Sequence, residues 1–142
     1  MRKILMPALA ITVIAFSACA QKIDASKVPD AVKASFTKQF PGVTAKWEKE
    51  NGKYEAEFKQ KGNSMSAVFE ANGNMDETEI EIKASDLPAA VLTYIKEHYK
   101  GKIIKEAAKI NHTDGTVNYE AEVDGKDIIF DVAGNFIKEA ND

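Results

Sequence analysis

The sequence predicts an α+β fold: two tandem repeats behind an export signal, each a helix followed by four antiparallel strands. Three observations predict it. First, Ile23-Asp24-Ala25-Ser26-Lys27-Val28-Pro29-Asp30-Ala31-Val32 recurs as Ile82-Lys83-Ala84-Ser85-Asp86-Leu87-Pro88-Ala89-Ala90-Val91, with six of ten positions identical. Second, Tyr54-Glu55-Ala56-Glu57 recurs as Tyr119-Glu120-Ala121-Glu122, and Phe69 with Gly73-Asn74 recurs as Phe130 with Gly134-Asn135, in the same order. Third, apolar residues repeat every four positions after each proline and every second position further on, the periods of a helix and of strands.

Residues 1–20 read as the signal. Arg2 and Lys3 open it, Ile4 to Phe16 is apolar apart from Pro7 and Thr12, and Ser17, Ala18, Cys19 and Ala20 are small. The apolar run is shorter than the roughly 20 residues a membrane-spanning helix needs. Two processing sites stand. Cleavage after Ala20 leaves Gln21 first, whereas Phe16-Ser17-Ala18-Cys19 resembles a lipobox that would make Cys19 a lipidation site. Cys19 is the only cysteine, and a lone thiol has little use in an exported protein unless it is removed or modified.

The first repeat occupies residues 21–83 and the second 84–142. Pro29 and Pro88 suit the first helical position, where the N–H they lack has no partner within the helix. Val28, Val32, Phe36 and Phe40 line one helix face; Leu87, Val91, Ile95 and Tyr99 line the other copy's. Pro41-Gly42 and Gly101 end the helices. Strands are expected at 43–50, 53–61, 64–71 and 75–82, then at 102–111, 116–123, 126–132 and 135–139. The turns between them carry Asn51-Gly52, Gly62-Asn63, Asn72-Gly73-Asn74, Asp114-Gly115, Asp124-Gly125 and Gly134-Asn135. The second copy has a short insertion around Asn111 to Thr116. Tight turns make neighbouring strands antiparallel.

Alternation divides the sheet into two faces. Val43, Ala45 and Trp47, then Tyr54, Ala56 and Phe58, then Ile80 and Ile82, then Tyr119, Ala121 and Val123 face the helices. Thr44, Lys46, Glu48, Glu55, Glu57, Glu79, Glu81, Glu120 and Glu122 face water. Trp47 is expected in the core. One copy buries little on its own, so the two are expected to join in one continuous sheet.

Composition narrows function. Without residues 1–20 the chain keeps 17 basic and 22 acidic residues, a net charge of −5 with histidine neutral. Nucleic acid would call for a basic patch, so it is not an expected partner. No cysteine remains for a disulfide, and stability must come from core burial. Nucleophilic catalysis needs an activated Ser, Cys or Thr beside a base. His98 on the helix flank and His112 in the polar insertion read as surface residues, with no nucleophile or metal-ligand spacing beside them. No Gly-rich phosphate loop precedes a helix. No cofactor, metal site or enzymatic activity is therefore expected. The run Asp76-Glu77-Thr78-Glu79-Ile80-Glu81 reads as a solvated sheet face interleaved with Lys46, Lys53, Lys59 and Lys61.

The helix opening hydrophobic-Pro-x-Ala-Val, the Pro-Gly stop, the Tyr-Glu-x-Glu strands and the aromatic before a Gly-Asn turn, repeated behind an export signal, resemble the PepSY-like, β-lactamase-inhibitor-like proteins of Bacteroidetes-type bacteria. The resemblance implies two helix-plus-four-strand modules whose sheets join into one concave surface. It also implies a periplasmic or outer-membrane location and a role in binding or inhibiting a protein such as a peptidase. The expected function is thus a non-enzymatic envelope binding protein. Its partner would be another envelope protein, and its only membrane link a lipid at Cys19. The candidate binding face comprises Lys46, Glu55, Glu57, Glu79, Glu120 and Glu122. A second class is a small-molecule or metal-ion module using the carboxylate-rich strands. Nothing in the sequence sets the oligomeric state.

Overall fold

A computed structural model of the protein describes residues 20–141; the signal and the Cys19 reading lie outside the described residues. One nine-stranded antiparallel sheet carries both helices. Its strands are β1 (Gln21–Ile23), β2 (Lys46–Glu50), β3 (Lys53–Gln60), β4 (Asn63–Phe69), β5 (Met75–Glu81), β6 (Glu106–His112), β7 (Val117–Val123), β8 (Lys126–Asp131) and β9 (Phe136–Asn141), and they lie side by side in chain order. Helix α1 (Asp30–Gln39) falls between β1 and β2, and α2 (Ala89–His98) between β5 and β6. Four strands follow each helix, as expected, and β5 pairs with β6 to make the sheet continuous. The short β1 has no counterpart in the sequence reading. It caps the N-terminal edge by pairing Ile23 with Trp47.

Each helix is entered through a 3-10 turn, Ala25–Lys27 or Ala84–Asp86. Pro29 and Pro88 sit one residue earlier than expected, as N-caps with ψ of 143°. Proline's fixed φ suits the cap as well as the first turn, and its carbonyl starts the helix. Pro29 O accepts from Val32 and Lys33, and Pro88 O from Val91 and Leu92. The strands also start later than expected at 43 and 102, and Ile103 is 79% exposed. Three hairpins use two residues of positive φ each: Asn51-Gly52, Lys61-Gly62 and Asp124-Gly125. That geometry matches the right-handed twist of the strands.

The cores lie between helix and sheet. Val32, Phe36, Trp47, Ala56, Phe58 and Phe69 are buried in the first half, and Val91, Ile95, Ala121, Val123, Ile128 and Phe130 in the second. Trp47 is a core residue, as its alternation implied. Gly73 and Gly134 bring the β4–β5 and β8–β9 turns against the helices. A Cβ on Gly73 would lie 2.6 Å from the Ala31 carbonyl oxygen, and one on Gly134 2.8 Å from the Ala90 Cβ. Both have φ near +90°, where only glycine is comfortable.

Candidate functional site

Both helices cover one face of the sheet, so the other face carries the polar alternates of β2 to β8. Its centre follows from the strand register. Glu57 on β3 lies opposite Lys46 on β2 and opposite Ser66 on β4, and Ser66 in turn lies opposite Glu79 on β5. Across β6, Glu81 faces Ala108, and Ala108 faces Glu120 on β7. Such neighbours stand about 5 Å apart on one face. Ser66 and Ala108 are short while the glutamates around them are long. The result is an open hollow of about 680 Å³, concave on the side away from the helices.

Six glutamates line the hollow: Glu55, Glu57, Glu79, Glu81, Glu106 and Glu120. Against them stand two lysines, Lys46 and Lys59. The negative charge is felt most at Glu79. Burial pushes its carboxyl up to about 8, and the carboxylates of Glu120, Glu55, Glu77 and Asp127 add to the rise. Glu55 is also raised, first by burial and then by Glu57, Glu48 and Glu50. The nearby Ser66 hydroxyl pulls Glu55 the other way, without the geometry of a hydrogen bond. Ser66 is 9% exposed, and its buried Oγ makes no hydrogen bond.

The structure thus brings Lys46, Glu55, Glu57, Glu79 and Glu120 to one hollow and leaves Glu122 out of it. Glu122 is a correction to the expected solvent-facing row. It is buried at 7% exposure, and its Oε1 accepts from Lys105 Nζ at 2.8 Å. Alternation assigned its face correctly but could not show how closely the neighbouring strands cover it.

The acidic run on β5 is a second correction. Lys53 pairs with Asp76 at 2.5 Å, but Glu79 is partly buried among other carboxylates rather than neutralised by interleaved lysines. His112 is a third. It is half-buried at the junction of β5, β6 and β7, with Nδ1 2.9 Å from Glu77 Oε2 and Nε2 2.6 Å from Asn118 Oδ1. The Asn118 amide donates to the Phe130 carbonyl, so its oxygen faces the imidazole. His98 is exposed and stacks on Tyr94 at 4.1 Å between ring centroids. Among the described residues, no three His, Cys, Asp or Glu side chains converge as metal ligands. No described helix is long and apolar enough to cross a membrane.

The sequence reading missed Ser66 and Glu106. Glu106 fell inside an expected strand, where its alternation with the core-facing Ala107 could have marked it. Ser66 carries no local signal; its burial arises from Glu57 and Glu79 on the strands to either side.

Residues 16–75 and 52–138 match the family described as "Putative beta-lactamase-inhibitor-like, PepSY-like". No curated protein matches the chain. Among solved structures, a BLIP-like protein from Bacteroides fragilis is 27% identical, with a TM-score of 0.61 over 80% of this chain and 86% of that one. A DUF2874 family protein from Bacteroides uniformis is 19% identical, with a TM-score of 0.67 over 80% of this chain and 88% of that one. A protein from Bacteroides eggerthii described as a "putative periplasmic" protein is 16% identical, with a TM-score of 0.69 over the same shares. The last two are similar in fold alone.

Proposed function

Because the chain belongs to the PepSY-like, β-lactamase-inhibitor-like family, we propose that it is a non-enzymatic, exported binding protein that engages another envelope protein through the helix-free face of its sheet. One observation carries this reading: the centre of that face is a hollow lined by six glutamates and only two lysines. A strongly charged concave surface focuses its field outward and speeds the approach of a partner of opposite sign. The partner surface is therefore basic. The specific form of the proposal is an inhibitor of an enzyme such as a peptidase, and the BLIP-like description of the Bacteroides fragilis protein supports that form. Cys19 is the proposed lipid attachment point. Intact-mass measurement on protein from the native host should find Cys19 acylated at the N-terminus; a mass beginning at Gln21 selects a soluble form instead.

The binding claim is tested by association kinetics with a partner captured from envelope extract. Association should slow markedly between about 0.1 M and 1 M salt, as the Debye length falls from about 10 Å to about 3 Å. Charge reversal at Glu57 or Glu120 should slow it too, while reversal at Lys96 on the exposed face of α2 should not. Salt-insensitive binding that is lost on Lys96→Glu would place the contact on the helices and end this reading.

A further inference from the structure

Resting on the sheet face as the binding surface, we propose that the hollow is a socket for one lysine side chain of the partner protein, with its ammonium seated over Ser66 between Glu57 and Glu79. Ser66 is the independent sign. It is nine-tenths buried, lines the hollow, and has an Oγ with no hydrogen-bond partner. Buried polar groups without partners are rare and costly, so an incoming donor is favoured there.

The acceptors match an ammonium. Glu57 and Glu79 flank Ser66 in register on the strands to either side, all three on one face. That row offers one hydroxyl and two carboxyl groups to the three donors of a Lys Nζ. A guanidinium would present a flat fork that wants one bidentate carboxylate instead. Lysine also brings a slender alkyl stem, which can pass between the long glutamates at the mouth. The seated charge would relieve the repulsion that Glu55 and Glu120 impose on Glu79. The hollow is open on one side and continuous with the rest of the outer face. A side chain delivered by a protein surface can cover that opening, whereas a small free amine leaves it exposed to water.

The test is calorimetric titration of the mature protein with an acetylated, amidated pentalysine peptide at low salt, with spermidine as the free-amine arm. Pentalysine should bind at least tenfold more tightly than spermidine. Glu79→Gln should weaken the peptide at least tenfold and Ser66→Ala at least threefold. Glu97→Gln, which removes one exposed charge from α2, should change it less than twofold. Ser66→Ala also removes an unpaired buried hydroxyl, so its thermal midpoint should hold or rise; a structural role for Ser66 would lower it. The socket is overturned if Glu97→Gln and Glu79→Gln weaken the peptide equally, if Ser66→Ala leaves binding unchanged, or if spermidine binds as tightly. It is overturned as well by an absence of peptide binding. The captured partner tells the two failures apart. If Glu57 and Glu120 still govern its association, the sheet face stands and only the lysine socket falls; if they do not, the face itself is wrong.

Discussion

In the first half of the molecule Phe36 meets Trp47, Phe58 and Phe69 edge-on, with ring centroids 5.2 to 6.4 Å apart. In the second half the matching helix residue is Ile95, packed in a cluster with Leu87, Val91, Val123 and Ile128 around Phe130. Phe40 is buried against Phe58, whereas its counterpart Tyr99 turns its hydroxyl out to Glu139. What the halves keep in common is the frame: a proline cap, a bulge before the last hairpin, and a glycine against the helix start. The cores were free to change composition because volume can be supplied by rings or by branched chains. The frame was not, because backbone approach leaves no substitute.

Phe36→Ala should cost about 3–5 kcal/mol and Ile95→Ala about 2–5 kcal/mol in denaturant titrations, the aromatic core losing more. Equal losses would show that the ring contacts add nothing beyond volume.

Glu79 belongs to the seam between the halves and should make stability depend on pH. Its folded carboxyl titrates near 8, against 4.5 for the ordinary group. Between those values the folded protein holds a proton that the unfolded chain has released, so stability falls as pH rises through that window. The loss should be on the order of 4 kcal/mol between pH 4.5 and pH 8.5. Glu79→Gln, which mimics the protonated form, should flatten the slope; an unchanged slope would assign it to other groups.

Gly73→Ala should cost about 1–3 kcal/mol for its backbone conformation, with a further loss from the Ala31 carbonyl. Gly134→Ala should cost less, because its first obstacle is a methyl group rather than a backbone oxygen. The reverse order in thermal melts would show that the first turn can retreat more easily. Lys53→Ala should cost under about 1 kcal/mol, since the pair with Asp76 is a surface ion pair.

The helices, the strand count and the buried face were legible because each rests on a local period: Val32 to Phe36 on the helix, Tyr54 to Phe58 on the strand. Positions that depend on register were not. Ser66 and Glu122 owe their burial to strands on either side. His112 owes its contacts to Glu77, which precedes the α2 excursion, and to Asn118, which follows it. The acidic run looked solvated because alternation shows which face a carboxylate takes, but not how deeply a curved sheet encloses it. The edge strand β1 is three residues long, too short for any period to register.

The order of the strands bears on how the chain folds. All pairings from β2 to β5, and again from β6 to β9, close short hairpins, so contacts form between residues near in sequence. Only two, β1 with β2 and β5 with β6, must wait for a helical excursion to return. Low sequence separation makes a β-rich protein fold fast for its class. Closure of β5 on β6 joins the two halves, so the acidic hollow, whose lining comes from strands of both, exists only once that long-range pairing has formed.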